Sequence, residues 1–229
     1  MPADIPLFLA KVFLGFLFYS FIGWVMEVGI TLVKEHRFVD RGFLIGPYCP
    51  IYGVGVGIIL LLVGDTGDVW ATFLKAMVYC TILEYSTSFV MEKIFKIRWW
   101  DYSNRRFNIN GRVCLGGMIL FGLLGCVAVY LVQPTFSDLI DLLHPVGIEV
   151  VALVSLILFI VDVIISLYVM AQIRKKSIKF ANDGTDQVKE YLFNWLKQKS
   201  FLHRRFADAH GVFRELRKKH ELGRRKMQG

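Results

Sequence analysis

The chain has 229 residues, 55% of them hydrophobic and 20% charged, with a formal net charge of +8. A soluble domain of this size keeps about a quarter of its residues charged and gathers its apolar residues around one core, whereas here they fall in long blocks between short charged stretches. An ordinary soluble globular domain is thereby excluded, and with no base-reading motif the basic excess does not indicate nucleic acid.

A bilayer core of about 30 Å needs roughly 20 apolar residues per helix. Ile5–Val33, Phe43–Val63, Val69–Phe95, Cys114–Val132 and Gly147–Ile173 all meet that requirement. The expected fold class is therefore all-α: a polytopic membrane helix bundle of five spans over residues 1–173, then a basic cytoplasmic helical tail over residues 174–229. The first block has no basic region before it and no clear small-residue cleavage site after it, so it reads as a retained span rather than a signal peptide. In it Ser20, Trp24 and Glu27 follow i, i+4, i+7 spacing and share one helical face.

The next connection, "KEHRFVDR", carries Lys34, Arg37 and Arg41, and the second span opens on "GFLIGPYCPIYGVG". Proline removes a backbone donor and kinks a helix, so this opening lines a cavity or packs closely through its glycines. The following connection, "GDTGD", is acidic. In the third span Glu84, Ser88 and Glu92 form a second polar stripe. A carboxylate deep in a span costs about 2.5–3.5 kcal/mol on insertion scales, and such groups face a cavity or a partner. Glu84 is the deepest of the three.

The third connection, Lys93 to Val113, holds six basic residues: Lys93, Lys96, Arg98, Arg105, Arg106 and Arg112. Trp99, Trp100 and Tyr102 suit a membrane interface. Asp101, Asn108 and Asn110 add acceptors and amide donors, and Arg105, Arg106 and Arg112 add cationic forks suited to phosphate or carboxylate. The loop is expected to re-enter or cap a site. The fourth connection, "QPTFSDLIDLLHP", has no Lys or Arg, and the tail from Arg174 has sixteen. This alternation sets the N-terminus outside and the C-terminus in the cytoplasm. Asp162 lies deep in the fifth span, where a partner on another span would be required. In the tail, Val188, Tyr191, Leu192, Trp195 and Leu196 make a basic amphipathic helix suited to an anionic leaflet or to a cytoplasmic partner.

"YSFIGWVME" and "YSTSFVME" echo one another, each followed by a basic connection and a glycine-containing opening, so spans one–two and three–four read as parallel repeats. No Walker loop, zinc pair or serine elbow is present, so no metal or cofactor is expected.

The segments "YSFIGWVMEV", "DRGFLIGPYCPIYGVG", "EYSTSFVMEKIF", "RWWDYSN" and "FNINGRVCL" resemble the integral membrane family of ABC-transporter type IV, CmpB-like proteins, over roughly Gly15–Tyr130. The resemblance implies a permease-like protein of a bacterial cytoplasmic membrane. Together these readings give a transport component whose polar, carboxylate-lined site opens to the cytoplasm. Its site residues are Glu27, Arg41, Glu84, Glu92, Trp100, Asp101, Tyr102, Asn108, Asn110 and Arg112. The expected partners are lipids of the anionic inner leaflet, a second copy of the chain, and a separate ATPase or other cytoplasmic protein. Two rivals stand beside it: a membrane-embedded enzyme acting on a lipid or headgroup, with Glu84 or Glu92 as general acid or base, and a scaffold or assembly factor working through its tail.

Overall fold

A computed structural model describes residues 5–36, 38–40, 42–62, 67–95 and 99–181, with side chains through Gln172 in the last helix. Arg41 and the amphipathic segment of the tail lie outside the described residues. The helices are α1 (Ile5–Glu35), α2 (Pro50–Leu62), α3 (Val69–Phe95), α4 (Leu115–Val127), α5 (Gln133–Asp141) and α6 (Pro145–Ala181). A π-helical turn, Ala128–Val132, joins α4 to α5, so Leu115–Asp141 runs as one helical rod. Two short strands, β1 (Asn108–Ile109) and β2 (Val113–Cys114), pair antiparallel ahead of α4.

Three helical stretches are long and apolar enough to cross a membrane: Ile5–Glu35, Leu115–Asp141 and Pro145–Gln172. The chain is a helical membrane protein, and its outer faces agree with that. Leu153, Ile157, Leu158 and Ile164 on α6 are exposed, while Ile148, Ala152, Asp162, Ser166 and Val169 are buried. A helix whose buried stripe carries the polar groups and whose exposed side is aliphatic suits lipid as its solvent.

Three expected boundaries differ, the simplest being α6, which starts at Pro145 and runs past Ile173 to Ala181, into the expected tail. The block Phe43–Val63 is not one helix: Gly42–Cys49 is irregular and α2 begins at Pro50, leaving 13 helical residues. The prolines supply the reason. A residue before proline is pushed out of the helical region, and proline itself is best tolerated in the first turn. Pro47 and Pro50 therefore keep the chain out of the helix through Cys49 and start the helix after it. In the fourth connection the helix continues to Asp141 instead of ending near Val132. Pro134 lacks an N–H and its ring would clash with the carbonyl one turn earlier. The wider π turn just before it relieves that clash, and Phe136 and Ile140 then pack against Ala10, Phe13 and Leu14 of α1.

The closest helix pairs are α3 with α4 and α1 with α2, and α1 also packs on α6. Glycines allow the approach. A Cβ on Gly53 would run into the Phe16 carbonyl and the Ser20 hydroxyl, and one on Gly125 would run into the Ala76 methyl. Small residues at helix crossings serve this purpose where lipid removes the hydrophobic drive for association. Gly53→Ala is expected to cost roughly 1–3 kcal/mol through overpacking. A lowered unfolding midpoint in detergent would register it, and an unchanged midpoint would show that α1 and α2 do not approach this closely.

The α1–α2 and α3–α4 connections meet at one end of the bundle, where the Phe43 ring lies 5.7 Å from Phe95 and 5.6 Å from Trp99. Helices α1 and α3 therefore run in the same direction, with their carboxylates toward that shared end.

Candidate functional site

Each acidic stripe is covered by the connection that follows its own helix. On α1 the Ser20 carbonyl accepts from Cys49 N at 2.8 Å, and Trp24 Nε1 donates to Asp40 Oδ1 at 2.7 Å. One turn on, Glu27 Oε1 accepts from the Tyr52 hydroxyl at 2.9 Å. On α3 the Tyr102 hydroxyl donates to Glu84 Oε1 at 3.3 Å. Arg112 Nη1 donates to Ser88 Oγ at 3.3 Å and forms an ion pair with Glu92 Oε2 at 2.8 Å.

The loop over α3 is folded tightly. Asn110 and Gly111 both adopt positive φ, 52° and 66°, and Arg112 N donates to the Ile109 carbonyl at 3.0 Å. That is the turn chemistry of an Asn-Gly hairpin, a signal present in "NINGR" and absent from the expectations above. Asp101 Oδ1 accepts from Ser103 N at 2.9 Å, and Asn108 Nδ2 donates to the Arg105 carbonyl at 2.8 Å while its Oδ1 accepts from Gly111 N at 2.9 Å. Asn110 Nδ2 donates to the Tyr85 hydroxyl at 2.9 Å, tying the hairpin tip to α3. These three side chains thus shape the cap from within. Trp100 Nε1 donates to the Arg112 carbonyl at 2.9 Å, which fixes the indole. Burial, followed by the nearby Glu84 and Glu27 carboxylates, pushes the Tyr102 phenol above its ordinary range, so it remains a donor.

Beneath this cap, between α1, α2, α3 and α4, is a cavity of about 110 Å³. Glu27, Glu84 and Trp100 reach it from among the expected site residues, together with Tyr52, Cys80 and Phe121. Ile51, Val56, Ile59, Leu83 and Leu124 make most of the remaining wall apolar. Glu84 is only 6% exposed, and among the described residues its Oε2 has no hydrogen-bond partner. A buried polar atom left unpaired costs roughly 1–3 kcal/mol, more when charged, which sets this atom apart from the matched oxygens of Asp162. Tyr52 went unnoticed in the sequence, although a tyrosine two residues past Pro50 in an apolar helix needs a partner for its hydroxyl.

Glu92 and Arg112 lie beside the cavity without lining it. The Arg112 guanidinium sits over the rings of Tyr85 and Phe89, 5.7 and 5.3 Å from their centroids, and the residue is 9% exposed. Asp162 has a separate role. Its carboxylate accepts from Ile45 N at 2.8 Å, Gly46 N and the Tyr48 hydroxyl at 2.6 Å each, and Ser166 Oγ at 2.9 Å. It pins the irregular segment ahead of α2 to α6. Among the described residues no group of three or more His, Cys, Asp or Glu is placed to hold a metal ion.

A family model described as "Putative ABC-transporter type IV" matches residues 14–167. The match reaches well beyond Tyr130, through the rod of α4 and α5 and most of the lipid-facing part of α6. Neither the curated proteins nor the solved structures compared with the chain match it.

Proposed function

We propose, from the premise that the chain belongs to the "Putative ABC-transporter type IV" family, that it is the membrane-embedded permease component of a transport system and that the Glu27–Glu84 cavity is its solute site. The buried, unpartnered Glu84 Oε2 carries this reading. A structural carboxyl would have its oxygens matched, as those of Asp162 are. A carboxylate that receives a passing solute must keep an acceptor open.

The basic connections between α1 and α2 and between α3 and α4 support a cytoplasmic opening, because lysine and arginine concentrate on that side. The hairpin cap over α3 would close the site, with Trp100 and Tyr102 as the parts of the lid that touch the cavity and its carboxylate. No nucleotide-binding loop occurs in the sequence, so the energy source would be a separate ATPase docking on the basic end.

Native mass spectrometry of the full chain, gently extracted with its lipids, tests the site. Wild type is expected to carry a small bound species that Glu84→Gln loses while remaining folded. Identical spectra from the two folded proteins would remove the cavity from the function.

A further inference from the structure

We infer that the cavity accepts the ammonium head of a small organic amine, with the rest of the amine's carbon skeleton against the apolar wall; this rests on the cavity being the solute site. Glu84 Oε2 is an open hydrogen-bond acceptor, and Glu27 lines the same space, so the polar end of the ligand is a donor and cationic. An anion would face the open oxygen of the Glu84 carboxylate.

The hydroxyls of Tyr52 and Tyr102 already donate to Glu27 and Glu84 at 2.9 and 3.3 Å, which fixes the two carboxylates in place. The indole N–H of Trp100 is committed to a backbone carbonyl, which leaves the aromatic carbons as what this residue can offer the cavity it lines. Carboxylate plus indole is a pairing that suits an ammonium group.

The wall sets the rest. A hard inorganic cation requires about six oxygen ligands, and the remaining lining is chiefly Ile51, Val56, Ile59, Leu83, Phe121 and Leu124. Those side chains offer nothing to a hydrated ion and a good deal to methylenes. Size follows from volume. A cavity of about 150 Å³ holds benzene, so the 110 Å³ here takes an amine head with a chain of a few carbons.

The test is calorimetric titration of the full chain in lipid nanodiscs with n-butylammonium, 1-butanol and potassium ion, each as its own probe. Saturable binding of n-butylammonium is expected, with no saturable binding of the other two. Glu84→Gln is expected to weaken the amine at least tenfold, and Asp138→Asn, which removes an exposed carboxylate far along the α4–α5 rod, is expected to leave it unchanged. Val56→Phe keeps both carboxylates but fills the space, and should abolish binding even if the Glu84 variant fails to fold.

Equal binding of 1-butanol, equal binding of potassium, or no loss in the folded Glu84→Gln and Val56→Phe variants would each overturn the proposal. If n-butylammonium fails to bind wild type while native mass spectrometry still shows a Glu84-dependent species, the ligand class falls and the site stands. If both fail, the site falls with it.

Discussion

Replacing Asp162 with Leu is expected to destabilise the protein by roughly 3–5 kcal/mol. Four donors converge on that carboxylate, two of them consecutive backbone N–H groups, Ile45 and Gly46. Leucine fills a similar volume but leaves both amides and the Tyr48 hydroxyl with no acceptor. Inside a membrane no water stands ready to replace it. Asn keeps one carbonyl oxygen and should recover part of the loss. Reversible unfolding in mixed micelles reads the difference, and variants as stable as wild type would mean the segment before α2 is not held by α6. The defect should also be local before it is global. Proteolysis near Gly42–Cys49 should rise in Asp162→Asn ahead of any loss of helix content.

Arg112→Ala is expected to cost about 2–4 kcal/mol. The substitution removes the 2.8 Å pair with Glu92, the bond to Ser88 and the stacking over Tyr85 and Phe89. The side chain of Glu92 is 34% exposed, so water relieves part of its lost pairing and keeps the figure below that of a fully buried pair. Lys restores the charge but neither the planar stack nor the forked geometry, so it should rescue incompletely. A double-mutant cycle with Glu92→Gln isolates the pair. Zero coupling between the two positions would show that the Glu92 ion pair adds nothing to the hold on the hairpin.

Much of this architecture could be read from the sequence because it is local. Long apolar blocks with charged ends predicted α1 and α3 closely and α6 all but its last turns, and the i, i+4 spacing of Glu84, Ser88 and Glu92 placed them on one face. Glu84 stood out by depth, since charge in a span demands a reason. The failures were of two kinds. Some were local signals passed over: Pro47 and Pro50 break the second block, and Asn110-Gly111 turns a hairpin. Others depend on pairings across long separations that no window of sequence contains. Arg112 looked like a fork for an external anion, yet its anion is Glu92 on the preceding helix. Asp162 looked unpartnered in its apolar run, yet its donors lie more than 100 residues earlier. Tyr52 and Phe121 enter the cavity only because α2 and α4 happen to flank α3.

The π turn at Ala128–Val132 acts as a phase shifter. An α-helix advances about 100° per residue, and a π turn holds one residue more than an α turn. The rod therefore presents one side to α3 through Gly122 and Gly125, then a differently aimed side to α1 through Gln133, Phe136 and Ile140. What this stretch encodes is a count. Exchanging Leu131 or Val132 for another aliphatic keeps the phase, whereas deleting any one residue would swing Gln133 away from the Tyr19 hydroxyl it now meets at 2.8 Å. Over evolutionary time the exposed position Leu131 should accept many aliphatic substitutions, and the turn almost no change in length.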